Sequence, residues 1–495
     1  MTIGLRRKKL EEMARGNGLS DAYTATLTRM RGRKGNQSLI GLKVLKWVLY
    51  SERPLSTDEL CHALAVEMGS PDLDSKNIPA LRTLLSSCLG LVTVEVSSST
   101  VRLVHFTLQE HLLSDPTLIP SPHSTIAEVC LTYLNFECVR DLSPTLELAP
   151  AKMPLLGYAS IYWGKHARIE MTENAKILAL RLLDRFGEHI SAQLLLLHYF
   201  KDGDWHPNWY WARGPMGFTG LHGVVFLGIM EMVAAVLEMK EWDVNATDCM
   251  GHTALTWAAI KGDEEVVQML LKREDVDLDQ ADPYYRGTPL SWAAGGGHEG
   301  IVKMLLEREE VDPDHVDTRF GGQTPLSWAA EGGHLGVVKM LLEREEVNPD
   351  QADTLYGRTP LWWAAQDGHQ AVVKMLLERE EVNPEQADTI CGRTPLLWAA
   401  GWGHEGVVKM LLEREEVNPG RADKGGQTPI SLAAEYGHER VVKMFLEQES
   451  VNPDYTNQYG RTPLWLAAGK GHEGIVKMLL EREDVSPDRQ TFYMA

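Results

Sequence analysis

Histidine is the first residue type in this 495-residue chain whose spacing could serve metal chemistry. Six histidines recur at intervals of 34 to 36 residues, at His298, His334, His369, His404, His438 and His472. A zinc ion needs its imidazole ligands at about 2 Å, whereas matching positions in stacked helical units lie about 10 Å apart. We therefore expect no metal site. We predict instead that these histidines join neighbouring units through hydrogen bonds.

Paired carboxylates are the second candidate, because two such groups can act as general acid and base. Glu345–Glu346, Glu380–Glu381 and Glu415–Glu416 recur where a charged run closes a helix, so we interpret them as solvated faces. No serine, histidine and aspartate set, and no cysteine and histidine set, can be defended from spacing alone. The six cysteines form no C-x-x-C pair, which argues against a disulfide framework or a zinc site. We expect no catalytic residue, no cofactor and no small-molecule substrate.

Nucleotide binding is the third possibility. A phosphate-binding loop needs the pattern G-x-x-x-x-G-K-[ST], whose backbone amides and lysine hold the phosphates. The sequence contains no such pattern, and Gly32–Gly35 is only a basic turn. We therefore predict that this chain binds neither ATP nor GTP.

The elements that position all of these residues are set by an internal repeat. The tripeptide Thr-Pro-Leu or a close variant recurs with gaps of 35, 36, 35, 35, 34 and 34 residues. Its seven copies begin at Thr253, Thr288, Thr324, Thr359, Thr394, Thr428 and Thr462. A divergent earlier copy contains Thr219, 34 residues before Thr253. We predict eight units, starting near residues 217, 251, 286, 322, 357, 392, 426 and 460.

Each unit predicts a pair of short helices, as the copy at Thr324 illustrates. Thr324 suits an N-cap, Pro325 suits the first turn, and Gly333 is expected to end the helix. His334 then opens a second helix, whose apolar stripe is Val337, Val338, Met340, Leu341 and Leu342. One such pair cannot bury its own apolar face, so we expect the units to stack into a solenoid.

The pattern T-P-L-x-x-A-A-x-x-G-H-x-x-V-V-x-x-L-L resembles the ankyrin repeat. That resemblance implies a mostly α-helical solenoid that binds a protein partner through its concave face. One position departs from the family pattern, because the histidine that usually follows T-P-L is replaced and its hydrogen bond to the threonine must be lost or altered. The replacements are Thr256, Ser291, Ser327, Trp362, Leu397, Ser431 and Trp465. The next position holds five tryptophans, Trp257, Trp292, Trp328, Trp363 and Trp398, which we expect to pack in the core and between units.

Differences between the repeats predict where a partner binds. The second helix hardly changes, whereas the residues beside the glycine before T-P-L and the pair after Ala-Ala vary. Tryptophan, tyrosine and arginine, which dominate interface energetics, are frequent among them. Neutral drift is the alternative, although drift rarely favours an exposed tryptophan. The predicted partner-binding residues are Tyr356, Arg358, Gln366, Asp367, Arg393, Trp402, Gln427, Glu435, Tyr436, Tyr459, Arg461 and Lys470.

A different pattern precedes the repeats. Apolar residues between Leu42 and Leu49 suit a helix, Ser56–Glu59 is a capping signal for a second, and Ile78–Leu89 predicts a third. Residues 91–96 and 101–106 then have the alternation of two strands joined by a serine-rich turn. The order predicts a small helical domain with a two-stranded wing.

These elements, with Ala22–Thr28 and Val104–Leu113, resemble the winged-helix module that follows the NTPase of fungal NACHT-ankyrin proteins. The resemblance continues through Gly157–Arg168 and a predicted helix over Ala175–Leu197, a helical spacer in that family. Such proteins act as intracellular receptors in self/non-self recognition and programmed cell death. The resemblance implies a non-catalytic scaffold or adaptor of receptor type without its NTPase switch. The alternative is a fungal transcription co-regulator, for example of a metabolite gene cluster, acting through protein contacts.

The predicted domains follow from these patterns. They are a basic N-terminal segment (1–37), a winged-helix-like domain (38–120), a helical spacer (121–216) and the repeat array (217–495).

Charge is distributed unevenly along the chain. Residues 1–50 contain eleven Lys or Arg and three Asp or Glu, a local net charge of +8 in a chain of formal net charge −20. The acidic repeats repel phosphate backbones, and the predicted third helix offers only Arg82 as a cation, so direct nucleic-acid binding is not expected. Arg6–Lys9 fits a nuclear import signal, a contact for an anionic surface or a solvated helix end.

The longest apolar stretch, Gly223–Met239, is interrupted by Glu231 and is shorter than the roughly 20 residues that span a bilayer. No secretory leader pattern is visible. We expect an intracellular protein, cytoplasmic, nuclear or both, without membrane contact.

Overall fold

The computed structural model describes residues 17–33, 36–143, 150–200, 215–239, 241–282, 287–316 and 322–486. The chain forms two compact units, Met1–Cys249 and Met250–Ala495. The basic segment Arg6–Lys9 lies outside the described residues. Among the helices described, none combines the length and the apolar character needed to cross a membrane.

The N-terminal unit begins with a winged-helix domain. Its elements are α1 (Asn17–Arg31), α2 (Gln37–Tyr50), α3 (Thr57–Ala65), α4 (Leu81–Ser87), β1 (Val92–Glu95) and β2 (Thr100–Leu103). The strands pair antiparallel with Val92 opposite Leu103. The predicted capping signal is confirmed, because Ser56 Oγ accepts from the Glu59 amide while the Glu59 carboxylate accepts from the Ser56 amide at 2.7 Å.

Helix α4 is shorter than the predicted helix over Ile78–Leu89. Pro79 restricts the residue before it to extended backbone, and Ile78 has ψ of 111°. The helix therefore begins only at Leu81. It ends at Ser87, shortly before Leu89 and Gly90 adopt positive φ.

The spacer helices follow in the same unit. After α5 (Phe106–Leu113), which still belongs to the winged-helix domain, they are α6 (Pro122–Leu134), α7 (Glu137–Arg140), α8 (Leu155–Ile169), α9 (Glu173–Leu183) and α10 (Ile190–Phe200). The prediction of one helix over Ala175–Leu197 was wrong, because the chain turns at Phe186–Glu188 between α9 and α10. Phe186 is buried there, and a Cβ on Gly187 would lie 3.0 Å from the Phe218 carbonyl oxygen. The chain therefore leaves the helical path here, and Phe186 and Gly187 pack closely against Phe218 instead.

The first helix pair, α11 (Gly220–Leu227) and α12 (Met230–Glu238), belongs to this unit. Thr219 caps α11, and its amide donates to His222 Nδ1 at 3.1 Å. This divergent copy therefore keeps the threonine–histidine capping pair that the later copies have lost.

The C-terminal unit consists of helix pairs that repeat the same geometry. Its first helices are α13 (Ala254–Lys261), α15 (Pro289–Gly295), α17 (Pro325–Glu331), α19 (Pro360–Gln366), α21 (Pro395–Trp402), α23 (Pro429–Tyr436) and α25 (Pro463–Lys470). Its second helices are α14 (Glu264–Leu270), α16 (Glu299–Leu306), α18 (Leu335–Leu342), α20 (Gln370–Leu377), α22 (Glu405–Leu412), α24 (Glu439–Leu446) and α26 (Glu473–Leu480). First helices pack on first helices and second helices on second helices, which makes the solenoid.

Local sequence explains each pair, as predicted for the copy at Thr324. The Thr324 side chain accepts from the Ser327 amide, and Pro325 occupies the first turn. Gly333 then turns the chain with φ of +70°, where a Cβ would come within 2.5 Å of the His369 ring. The apolar stripe of α18 is buried except for the half-buried Met340.

The repeated histidines join neighbouring units, as predicted. The Nε2 atom of five of the six lies within hydrogen-bonding distance of a carbonyl oxygen in the preceding unit. The pairs are His334 with Gly295 (3.0 Å), His369 with Glu331 (2.8 Å), His404 with Gln366 (2.8 Å), His438 with Gly401 (2.9 Å) and His472 with Glu435 (3.0 Å).

The helix pair α25 and α26 should be less stable than the pairs before it. Ile475 and Leu479 are buried, but Leu480 is 49% exposed, whereas the equivalent Leu342 and Leu377 are buried, and a segment with fewer buried apolar side chains opens more readily. We expect faster hydrogen exchange in α25 and α26 than in α21 to α24, or self-association through Leu480, detected by exchange mass spectrometry and light scattering. Slowest exchange in α26 on a strictly monomeric sample would contradict this prediction.

Candidate protein-binding surface

The turns before Thr359, Thr394 and Thr428 are each built around a buried carboxylate, that of Asp353, Asp388 or Asp423. Asp388 Oδ1 accepts from the amides of Ile390 (3.0 Å) and Cys391 (2.6 Å), and Asp353 Oδ1 accepts from those of Tyr356 (2.6 Å) and Gly357 (2.9 Å). Charge-assisted bonds of this kind fix a short loop without long-range contacts. We call residues 354–358, 389–393 and 424–427 of these turns, and residues 458–461 of the turn before Thr462, the tips. Hydrogen bonds to the side chains at the base of each turn hold the tips rigid, so the tips support their own side chains in fixed positions.

Successive tips are bonded to one another. The Thr389 amide donates to the Tyr356 carbonyl (2.7 Å), and the Lys424 amide donates to the Cys391 carbonyl (2.8 Å). The Gln458 amide continues the series to the Gly425 carbonyl (3.1 Å). The tips of the last four units thus form one continuous edge.

The ends of the first helices lie beside this edge. Gln427 at a tip donates from Nε2 to Glu435 Oε2 near the end of α23, at 3.3 Å. Glu435 precedes Tyr436, whose side chain is 58% exposed, and the equivalent residue of the unit before is Trp402, 60% exposed. The two variable sets of residues therefore occupy one surface.

Arginines at the tips are stacked on aromatic rings. Arg358 Cζ lies 4.4 Å from the Tyr356 ring centroid, 4.3 Å from that of Trp362 and 4.9 Å from that of Trp363. The same position holds Arg393 over Trp398 (5.1 Å) and holds Arg461 over Tyr459 (5.6 Å) and Trp465 (4.2 Å). Cation–π contacts fix the orientation of these otherwise flexible side chains.

Comparison with known protein families agrees with this geometry. The family model described as ankyrin repeats (3 copies) matches residues 189–282, 274–353, 345–421 and 415–491. These matches span more than half of the chain. The chain belongs to the ankyrin-repeat family.

A second family model, described as GPI inositol-deacylase, winged helix domain, matches residues 25–127. The match covers the winged-helix domain and the start of the spacer. No curated protein matches the sequence. Ankyrin repeats support a role in protein–protein interaction.

The ankyrin capping histidine is altered in four units and lost in three, as expected. Hydroxyl pairs take its place at Thr253 with Thr256 (3.1 Å), Thr288 with Ser291 (3.1 Å), Thr324 with Ser327 (3.3 Å) and Thr428 with Ser431 (2.8 Å). Where Trp362, Leu397 or Trp465 stands instead, only its backbone amide bonds to the threonine hydroxyl.

Four of the five tryptophans that share one repeat position are less buried than the predicted core position requires. Trp257 is buried, whereas Trp292, Trp328, Trp363 and Trp398 are half-buried. Packing between units is confirmed, because the Trp292 and Trp328 ring centroids lie 6.0 Å apart. The fully buried tryptophan in the middle of the ankyrin array is Trp362, one position earlier in its repeat, 5.1 Å from Trp398.

The predicted contact residues divide into two groups by exposure. Asp367, Trp402, Tyr436, Tyr459, Arg461 and Lys470 are exposed. Tyr356, Arg358, Gln366, Arg393, Gln427 and Glu435 are half-buried. All twelve therefore reach the surface, and their binding role remains a prediction.

Two kinds of residue on this surface did not emerge from the sequence comparison. Leu355 (52% exposed) and Ile390 (54% exposed) are apolar residues at the tips. The buried carboxylates Asp353, Asp388 and Asp423 hold the tips. The sequence did contain a signal for these three aspartates, because an Ala-Asp pair recurs a few residues before T-P-L.

Another row of carboxylates follows the second helices. Asp279 accepts from the Asp312 amide of the next unit (2.9 Å) and Asp314 accepts from the Asn348 amide (3.2 Å). The other oxygen of Asp279, Asp314 and Asp350 is buried without a hydrogen-bond partner among the described residues. Burial raises the pKa of Asp314 and of Asp350 to about 6.

Mild acid should therefore stabilise the ankyrin array. The pKa of Asp314 and of Asp350 in the folded protein lies above the ordinary value of 3.8. Their charged forms therefore lower the free energy of unfolding above pH 6. This cost disappears as the pH falls from about 6 to about 4. We expect Asp314→Asn with Asp350→Asn to raise the melting temperature by several degrees at pH 7.5, from about 1 kcal/mol per site after solvent screening.

Thermal melts at pH 7.5 and at pH 4 would measure this difference, which should be lost at the lower pH. The exposed Glu380→Gln is the control and should have no effect at either pH. An equal gain at both values would contradict the role of these two charges.

Proposed function

We propose that this chain is a protein-binding scaffold or adaptor, and that the continuous edge of tips and first-helix ends in its last four units is the contact surface. The observation that carries the proposal is a group of exposed aromatic residues, Trp402, Tyr436 and Tyr459, the last 72% exposed. Exposed aromatic residues grouped on one surface are typical of interaction sites. The rigid tips below them would keep the entropic cost of binding small.

Chemical cross-linking of the full-length chain to its captured partners tests this surface. Lys424 and Lys470 are exposed lysines on it, whereas Lys339 and Lys374 are exposed on second helices. We expect cross-links to partners to concentrate at Lys424 and Lys470. Cross-links mainly through Lys339 and Lys374 would place the contact surface elsewhere.

We further propose that the protein is a receptor-type relative of the NACHT-ankyrin proteins that acts without nucleotide switching and without catalysis. A winged-helix domain followed by a helical spacer and an ankyrin array is the module order of that family, which supports the proposal. The basic segment Arg6–Lys9 is compatible with the alternative, a transcription co-regulator that uses the same protein-binding surface. Localisation of a tagged chain separates the two.

Nucleotide binding is expected to be absent, because the 495 residues contain no phosphate-binding loop. Titration calorimetry with Mg-ATP and Mg-GTP should show no heat of binding. A dissociation constant in the micromolar range would overturn the proposal of a switch-free protein.

A further inference from the structure

Arg358 and Arg393 occupy the same repeat position but differ in their partners. Both follow a turn glycine, and both guanidinium groups stack on tryptophans of their own first helix. Arg393 also donates from Nε to Asp423 Oδ2 of the next unit, at 2.9 Å, and the Asp423 side chain is buried. Arg393 is therefore neutralised inside the array.

The carboxylate that is equivalent to Asp423 and could pair with Arg358 already accepts hydrogen bonds from other groups. That residue is Asp388, whose Oδ2 accepts from Trp398 Nε1 (3.3 Å) and from the Arg393 amide (3.2 Å). Among the described residues, no carboxylate forms an ion pair with Arg358. Its Nε is buried without a hydrogen-bond partner, and the residue as a whole is half-buried.

The charges of Asp353 and Glu331 attract Arg358, but among the described residues neither carboxylate bonds to its guanidinium group. Asp353 Oδ1 accepts from the Tyr356 and Gly357 amides, and Glu331 accepts from Gln323 Nε2 at 2.9 Å. A half-buried guanidinium without an acceptor is unfavourable unless water or a ligand provides one. Three aromatic rings hold Arg358 in this state, so its orientation is fixed before any ligand arrives.

The surroundings of Arg358 indicate what such a ligand carries. Leu355 and Ile390, each about half exposed, lie on adjacent tips that are joined by the Thr389–Tyr356 hydrogen bond. The planar guanidinium matches a carboxylate through paired hydrogen bonds. Because the whole chain is acidic, a ligand with many negative charges would be repelled, whereas one acid among apolar residues would not.

We propose that Arg358 is the receptor for a single Asp or Glu side chain of the protein partner, presented in an apolar segment that packs against Leu355 and Ile390. This inference rests on the proposed protein-binding function. It identifies the chemistry of the partner at one position of the surface.

Peptide display on the full-length chain tests the inference. Random peptides fused through their C-termini to a phage coat protein are selected, so a free terminal carboxylate cannot supply the acid. We expect the selected peptides to share one Asp or Glu among apolar residues. Its replacement by Asn or Gln should weaken binding to the wild-type chain by about tenfold to a hundredfold.

Matched variants assign this discrimination to one arginine. Arg358→Gln should bind the acidic and the neutral peptide alike, and Arg358→Lys should discriminate less than the wild type. Arg440→Gln, which changes an exposed arginine of the second helix α24 outside the predicted contact surface, should discriminate fully. The fold should tolerate Arg358→Gln, because Gln323 and Gln427 stand at this position in other units. Melting temperatures measured in parallel confirm that each variant is folded.

Each outcome separates this inference from the proposed function. Selected peptides that need Trp402 for binding but share no acidic residue would show that Arg358 is not the receptor for an acid. Equal discrimination between the acidic and the neutral peptide by Arg358→Gln and by the wild type would show the same. Either result leaves the proposed protein-binding surface unchanged. A library in which no peptide depends on Trp402, Tyr436 or Arg358 overturns both.

Discussion

Replacing Trp402 and Tyr436 together by alanine is expected to weaken partner binding by about 2 to 4 kcal/mol while hardly changing the melting temperature. The two side chains are 60% and 58% exposed and occupy equivalent positions in adjacent units, so they form the aromatic centre of the predicted contact surface. Their removal exposes no buried core, and surface truncations of this kind change stability little. Binding of a captured partner or a selected peptide, measured by calorimetry, gives the affinity, and a thermal melt gives the stability.

Tyr455→Ala is the matched control for this double variant. Tyr455 is another exposed aromatic residue of the array, but it lies in the loop after a second helix. It should leave affinity unchanged. If the double variant captures the same partners with undiminished affinity, the contact surface has been assigned wrongly.

Replacing Trp362 by alanine should affect stability, in contrast to the double variant. We expect the free energy of unfolding of the array to fall by about 3 to 5 kcal/mol. The Trp362 side chain is fully buried, with ring centroids of Trp363 at 5.0 Å and Trp398 at 5.1 Å, and Arg358 covers it at 4.3 Å. Truncation would leave a cavity and remove one support of Arg358. Urea unfolding followed by circular dichroism measures the loss.

Trp398→Ala is the informative comparison. The sequence alone predicts that Trp398 packs in the core, where its removal would cost the same roughly 3 to 5 kcal/mol. The side chain is only half-buried, so we now expect a smaller loss, from one ring contact and the 3.3 Å hydrogen bond to Asp388. A larger effect at Trp398 than at Trp362 would show that burial does not govern stability in this array.

The repeat architecture was predictable because its signals are local. A threonine cap bonds to the amide three residues ahead, and a proline restricts its immediate neighbours, so Thr324, Pro325 and Gly333 specify a short helix and its end without further information. Periodicity then gives the number and spacing of the units. Two local signals were overlooked. Pro79 before α4 shortens one helix, and Gly187 between α9 and α10 divides another, whereas apolar spacing alone predicts that both helices continue.

Pairings between units were decided only by the tertiary structure. Arg358 and Arg393 share residue type and repeat position, and each stacks on tryptophan, yet Arg393 bonds to Asp423 whereas the equivalent Asp388 bonds to Trp398. Each choice depends on a side chain about thirty residues away or on competition for one carboxylate oxygen, which no local pattern encodes. The sequence alone therefore determined that this chain is a stack of helix pairs with a variable surface. Packing between the units decided which tryptophan is buried, which arginine is neutralised, and which arginine has no ion pair among the described residues.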